Sequence, residues 1–257
     1  MTLQKYVFSL YGPNKSLHIF THSGFFYTFA DMNIEPIAFF RSPFTSKFGI
    51  PRQSGLIEDL RGRVEFTAAY AQPEALRGLE DYDYAWIIWG FSENVSAEKH
   101  PTVRPPLLGG NEHVGVWATR SPFRPNNLGL SSVRIAAIDL AAPAIEVMGA
   151  DLMDGTPIYD VKPYLPYVDS HADARGGFTD RHQWQRLQVV MADGVADGLS
   201  TADRNVLEQA LALDPRPHYH DDPNRLYGMP FMDYDVSFRV VDGTLYVEKL
   251  NVKGANG

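Results

Sequence analysis

Arg120 and Arg124 stand four residues apart in the stretch GVWATRSPFRPN (residues 115–126), with Ser121-Pro122 between them and Pro125-Asn126 after them. Each guanidinium is a planar fork of donors, and the Asn amide pairs a donor with an acceptor. Two prolines fix the backbone and withdraw donors, so the loop is stiff. This set suits an anionic or purine-bearing ligand. The same residues would also make an ordinary solvated turn. A second set is Asp160, Lys162 and Tyr164, which alternate along an extended stretch and so share a face. An acid, an amine and a phenol together could move a proton. They could equally be a surface ion pair beside a packed ring.

Further segments have the composition of a site. Arg41-Ser42-Pro43 and then Lys47–Gln53 (KFGIPRQ) put cations and an amide in a constrained loop after a strand. The stiff run PTVRPPLLGG (101–110) presents Arg104, and within the third such segment, Asp151–Tyr167 (DLMDGTPIYDVKPYLPY), Asp154-Gly155-Thr156-Pro157 reads as a tight turn. His218 and His220 flank Tyr219 near Asp221 and Asp222. That group could chelate a metal, but its proline-rich surroundings read more simply as a solvated loop, and no metal is expected. The chain has no G-x-G-x-x-G between a strand and a helix, no Walker loop, no G-x-S-x-G and no H-E-x-x-H. A Rossmann-type nucleotide site is therefore not expected.

Strands must position these residues. Runs rich in β-branched and aromatic residues occur at Ile34–Arg41, Arg63–Ala68, Tyr84–Phe91, Gly115–Thr119, Leu130–Ile138 and Ala144–Ala150. A short helix fits Pro73–Leu79, with Pro in its first turn. Residues 33–168 are thus predicted to be mainly β, a barrel rather than a doubly wound sheet. The polar, glycine-bearing stretch 169–180 reads as a linker. Beyond it, Arg181–Met191 fits a helix, and Thr201–Leu213 fits one better, capped by Ser200 or Thr201 and stopped at Asp214-Pro215. Val206, Leu207, Ala210 and Leu211 form its packing stripe. Asp235–Val241 and Thr244–Leu250 around Asp242-Gly243 predict a hairpin. Residues 180–250 are therefore expected to form a small α+β module. Residues 1–31 have no clear periodicity, and Met32 begins MNIEPIAFFRSPF like the start of a domain; residues 1–32 therefore read as an N-terminal extension, or Met32 is the true initiator.

Composition narrows the function. The 257-residue chain is 44% hydrophobic, as folded proteins are, and contains no cysteine. Disulfides, cysteine-ligated metals and thiol catalysis are excluded, and a cytoplasmic location is favoured. No apolar run reaches the length of a membrane span, and the N-terminus makes a poor signal peptide. The net charge of −8 argues against nucleic acid. Residues 94–134, however, carry five basic side chains (Lys99, Arg104, Arg120, Arg124, Arg134) against Glu98 and Glu112. A local basic patch suffices for an RNA contact, because the electrostatic contribution depends on the phosphates neutralised at the interface.

Taken together, GVWATRSPFRPN, Pro51-Arg52-Gln53, PTVRPPLLGG and DGTPIYDVKPYLPY resemble the TrmO (TsaA/YaeB-like) family of tRNA methyltransferases. The resemblance runs over about residues 33–250 and includes DPRPHY at 214–219. Trp117 stands where Phe is usual, and Ser92-Glu93 where relatives often show a His-Gln-like pair. The resemblance implies a non-Rossmann, single-sheet β-barrel that binds S-adenosylmethionine, works as a homodimer, and methylates N6 of N6-threonylcarbamoyladenosine at tRNA position 37. It also implies a cofactor site of Pro51, Arg52, Gln53, Ser92, Glu93, Arg120, Leu130, Asp154, Gly155, Thr156 and Pro157. Within that frame Asp160 and Tyr164 are candidate proton acceptors, and Lys162 would hold a phosphate or the threonyl carboxylate. Arg124 and Asn126 would face the tRNA side of the pocket, with Arg104 on the backbone. Two other readings stay open: a barrel that binds S-adenosylmethionine and tRNA without turnover, and a methyltransferase acting on a different acceptor.

Overall fold

The computed structural model describes residues 5–8, 17–22, 25–29, 33–94, 100–182, 185–216 and 222–254. The chain divides into two units, Met1–Glu35 and Pro36–Gly257. In the first, β1 (Lys5–Phe8), β2 (Leu17–His22) and β3 (Phe25–Phe29) form an antiparallel meander. The sequence shows no periodicity there. The strands follow instead from a density of aromatic and β-branched residues, which favour a pleated backbone.

The second unit begins with a closed barrel. Its strands are β4 (Ala38–Arg41), β5 (Arg61–Phe66) and β6 (Tyr84–Gly90), then β9 (Leu128–Asp139), β10 (Ala144–Met148) and β11 (Pro157–Pro163). The order around the barrel is β10-β5-β4-β11-β6-β9, antiparallel throughout. Alternation sends Phe40, Val64, Ile87, Val133, Ile145 and Ile158 into one interior core. Between β6 and β9 the chain makes a small ribbon from β7 (Thr102–Val103) and β8 (Val114–Gly115).

Sequence expectations fail at Gly115–Thr119 and at Pro73–Leu79. Gly115–Thr119 is not a strand: after β8 the chain coils into a 3₁₀ turn at Val116–Ala118. Val116 is buried, its N–H donates to the Pro101 carbonyl, and the Thr119 N–H donates back to Val116. Pro73–Leu76 is likewise 3₁₀ rather than α.

A one-turn helix, α1 (Pro166–Asp169), follows the barrel. The C-terminal module is then built from β12 (Gln188–Met191), α2 (Thr201–Ala212), β13 (Tyr227–Phe231), β14 (Tyr234–Val241) and β15 (Thr244–Val252). Its sheet order is β12-β15-β14-β13, with β12 parallel to β15. The helix expected over Arg181–Met191 is replaced by β12, where Val189 and Val190 gain more from pairing with β15 than from a helical turn. The helix α2 and the β14–β15 hairpin form as expected. Ser200 caps α2 by accepting from the Asp203 N–H at 3.1 Å.

The module core reaches into the barrel's first long loop, residues 42–60. Phe44, Ile57 and Leu60 are buried with Leu207, Leu211, Met229, Phe231 and Phe238. Phe44 meets Phe231 edge-on at 5.5 Å. Burying one such side chain stabilises by about 1.5–3 kcal/mol. This loop therefore takes its shape from the C-terminal module as much as from the barrel.

Candidate active site

Antiparallel closure collects the barrel's long connections at one end. The strands β4, β6 and β10 finish there, and β5, β9 and β11 start there. The three connections are residues 42–60, 91–127 and 149–156. They carry Pro51–Gln53, then Ser92, Glu93, Arg120, Arg124 and Asn126, then Asp154–Thr156. Leu130 sits just inside β9, and Pro157 opens β11.

Hydrogen bonds tie the loops to one another. Arg120 Nη1 donates to Gln53 Oε1 at 2.5 Å, joining the second loop to the first. The Gly55 N–H donates to the Gly149 carbonyl and the Gly149 N–H to the Leu60 carbonyl, each at 2.8 Å, joining the first loop to the third. Asp154 Oδ1 accepts from the Ser42 N–H at 3.1 Å, and Asp154 Oδ2 lies 3.8 Å from Arg41 Nη1. The Asp154–Pro157 turn closes because Gly155 takes φ +75°, a conformation that other residues adopt reluctantly. Thr156 is buried, with its hydroxyl donating to the Met153 carbonyl at 2.7 Å.

On the outer face of the barrel, Leu130, Ile88 and Asp160 pair across β9, β6 and β11. Leu130 is 53% exposed, so it offers an apolar platform beside these loops. A bulge between Ile158 and Asp160 brings Asp160 into this row. Lys162 Nζ lies 2.8 Å from Asp160 Oδ2, and that partner raises the lysine's pKa. Tyr164 is not brought to this end. Its N–H donates to the Tyr84 carbonyl at the start of β6, and its ring packs on Tyr84 and Trp86. At about 3.3 Å per residue it lies roughly 13 Å along the strand from Asp160.

The arginines divide by role. Arg120 is exposed, with Gln53 as its partner. Arg124 folds into its own loop: Nη1 donates to the carbonyls of Thr119 (2.6 Å) and Val116 (3.3 Å), and the guanidinium lies 5.4 Å from the Trp117 ring centroid. Arg52 turns to the C-terminal module, donating to the carbonyls of Leu213 and Asp214, and burial lowers its pKa. Its backbone stays with Pro51 and Gln53. Arg104 is exposed and donates through Nε to His113 Nε2 at 2.9 Å, while Asn126 is exposed. Ser92 and Glu93 are exposed in a 3₁₀ turn directly after β6. His218 and His220 lie outside the described residues.

The structure also brings in residues that the sequence reading did not single out. Trp89 Nε1 donates to Ser131 Oγ at 2.9 Å, and Ser131 Oγ donates to Asp151 Oδ1 at 2.6 Å. The backbone N–H of Ser54 also faces the Asp151 carboxyl and favours its charged form. Burial pushes this carboxyl above the usual carboxylate range, against the opposing pull of Ser131, of the Asp151 and Ser54 N–H groups and of the Arg120 charge. The one sequence signal was an acid placed directly after the apolar run of β10, since charges rarely follow a strand inward.

With this geometry in view, comparison with known proteins is decisive. The tRNA-methyltransferase O N-terminal domain matches residues 39–170, and the TrmO C-terminal domain matches residues 185–253. This chain belongs to the TrmO family. The tRNA (adenine(37)-N6)-methyltransferase of Escherichia coli K12 is 35% identical over 223 residues, which is 83% of this chain and 95% of that one. RcsF of Pseudomonas aeruginosa, whose name describes an S-adenosylmethionine-dependent methyltransferase, is 40% identical over 211 residues, 79% of this chain and 90% of its own. The crystal structure of TrmO from Pseudomonas aeruginosa superposes with a TM-score of 0.70 at 33% identity, covering 86% of this chain and 98% of that one. The TrmO fold is this closed β-barrel with an appended module, which explains why no glycine-rich dinucleotide fingerprint is needed.

Proposed function

We propose that the barrel end formed by residues 42–60, 91–127 and 149–156 is the active site of an S-adenosylmethionine-dependent tRNA methyltransferase. The enzyme methylates N6 of adenine 37, beside the anticodon, and its acceptor is the N6-threonylcarbamoyl form of that base. The observation that carries this reading is the convergence of Pro51–Gln53, Arg120, Leu130 and Asp154–Pro157, from three separate connections, in a chain of the TrmO family.

The side chains fit the cofactor. An exposed cation at Arg120 suits the methionine carboxylate, and exposed Leu130 suits the face of an adenine. The turn at Asp154–Pro157 offers backbone groups to the ring edge, with the Ser92 hydroxyl and the Glu93 carboxylate on the opposite loop. Pro51 and Gln53 shape the floor, and Arg52 contributes its backbone. When bound, the cofactor supplies a methyl group activated on a sulfonium. The protein's own residues hold the acceptor nitrogen in line, which can provide much of the acceleration. That nitrogen carries a carbamoyl group, so its lone pair is delocalised and its proton must leave. Asp160 is the acceptor we favour, being in the same cross-strand row as Leu130. Lys162, paired to Asp160, is placed to receive the threonyl carboxylate or a phosphate. Tyr164 is the weaker candidate because of its distance along β11.

We assign Arg104 and Asn126 to the tRNA surface, and Arg124 to holding that loop in shape. Residues 33–168 would perform the chemistry, while 180–250 would brace the cofactor loop and extend the tRNA footprint. A homodimer is supported by the apolar outer face, where Leu130 and Tyr84 are exposed beside Trp86 and Ile88. A cysteine-free chain acting on tRNA fits the cytoplasm. Among the described residues no helix is long and apolar enough to cross a membrane.

The deciding experiment is transfer of labelled methyl from S-adenosylmethionine to tRNA with and without the threonylcarbamoyl group. Transfer to the modified tRNA alone supports the proposal. Equal transfer to both would change the acceptor, and none to either would leave a binding protein.

A further inference from the structure

The Asp151 carboxyl stands among the segments that carry Gln53, Arg120 and Leu130. Through Ser131 it is bonded to β9, one residue from Leu130. Two residues before it, the Gly149 carbonyl accepts from the Gly55 N–H of the first loop at 2.8 Å, and the Ser54 N–H, one residue from Gln53, faces the carboxyl. The Arg120 charge acts on it from the second loop. Along its own chain it lies three residues before Asp154. Ser131 is 2% exposed and Trp89 is 8%, so the hydroxyl that links them has no water to replace a lost partner. Gly129 leaves room for the indole: a Cβ there would clash with the Trp89 ring.

A carboxylate used only for stability would be a poor choice at this place. Its burial opposes ionisation, and an apolar or amide side chain of similar size would be cheaper to enclose. Retaining the charge makes sense if it fixes the geometry of neighbours that bind something.

We propose that Asp151 is a positioning residue for the cofactor: with Ser131 and Trp89 it sets the Pro51–Gln53 loop and Arg120 in register with Leu130. This rests on the assignment of the cofactor to that barrel end. The first loop, bonded through Gly55 to Gly149 and turned at Ser54 toward the carboxylate, places Gln53, and Gln53 Oε1 in turn holds Arg120 Nη1. Loss of the charge frees the loop and loosens the cation, without touching the tRNA surface at Arg104 and Asn126.

The test compares D151N, S131A, D151N/S131A and R120A by calorimetric titration with S-adenosylmethionine, by steady-state kinetics on tRNA, and by thermal unfolding. D151N and S131A are each expected to weaken cofactor binding and raise its KM about tenfold, with kcat and the KM for tRNA within about twofold. The double variant should fall short of the sum of the two losses, because D151N removes the charge and S131A the donor of one connected network. D151N should unfold no earlier than the wild type. Unchanged cofactor affinity in D151N, with R120A impaired, would overturn the role of Asp151 alone. Unchanged affinity in R120A would overturn the site assignment itself. If D151N fails to fold, S131A decides: weakened cofactor binding upholds the proposal, and normal binding ends it.

Discussion

The guanidinium of Arg52 donates to the carbonyl of Leu213 at 2.7 Å, across 161 residues of sequence. One residue on, the Asp214 carbonyl accepts a second bond at 2.8 Å. Leu213 ends α2, and Arg52 lies in the loop that the family resemblance assigns to the cofactor. The two parts of the TrmO architecture are therefore joined at the loop proposed to hold the cofactor, so the C-terminal module should matter to the cofactor as well as to RNA.

Arg52→Ala should strip both carbonyls of their donor. A stability loss of about 1–3 kcal/mol is expected, together with weaker S-adenosylmethionine binding. Arg52→Lys should recover part of the stability, because an ammonium can serve one carbonyl well but not both in a fixed fork. Denaturant unfolding and calorimetric titration, run on the same samples, check both statements. Normal cofactor affinity in a destabilised Arg52→Ala protein would confine the contact to architecture.

Gly129→Ala places a methyl group where the Trp89 indole lies. The ring must tilt and break its bond to Ser131, and overpacking of this kind costs about 1–3 kcal/mol. Thermal unfolding measures the loss. Trp89→Phe in the same background should restore part of it, since the smaller ring clears the methyl group.

Asp160→Asn removes the proposed proton acceptor and leaves Lys162 without its partner at 2.8 Å. A fall in kcat of about 10²–10⁴-fold is expected, with cofactor binding retained. Full turnover in this variant would remove Asp160 from the mechanism and return attention to solvent as the acceptor.

Arg104→Ala and Arg124→Ala should behave differently although both residues lie in the basic segment. Loss of an exposed phosphate contact at Arg104 should weaken tRNA binding and reduce its dependence on salt by about one unit of slope. Arg124 is spent on the carbonyls of Val116 and Thr119, so its loss should unsettle the loop and lower cofactor and tRNA affinity together. Binding isotherms at several salt concentrations separate the two.

The Asp151 carboxyl gives a pH signature. Its folded-state pKa lies above its unfolded value because of burial. Across the interval between the two values the folded protein binds the proton more tightly, so stability falls as pH rises through it and is level above. Arg120 is the charged group known to act on this carboxyl, and it narrows the interval without reversing it. In D151N this component should vanish. Chemical denaturation of both proteins from the ordinary carboxylate range up to neutrality makes the comparison.

Strands with strong propensity were legible in the sequence: β6, β9, β10 and the β14–β15 hairpin agree with their expected spans to within about two residues. The capped helix α2 was legible too, because Ser200 and Asp214-Pro215 bracket it. Short or context-bound elements were not. At β12 a parallel partner, far away in sequence, outweighs helical spacing. At Val116–Ala118 one buried valine and a carbonyl on Pro101 turn an apolar run into a 3₁₀ turn.

By itself the sequence determined the chemistry available and the family: which residue types stand in which motifs, and that those motifs belong to a β-barrel rather than a Rossmann methyltransferase. Tertiary structure alone decided which of those side chains are tied up within the fold. Arg52 and Arg124 look as available as Arg120 along the chain. Their guanidiniums are consumed by carbonyls that only folding brings within reach, and an unsatisfied buried carbonyl costs too much to leave alone. Asp151 shows the converse: an unremarked acid acquires its position because barrel closure brings β9, the first long loop and Arg120 around it.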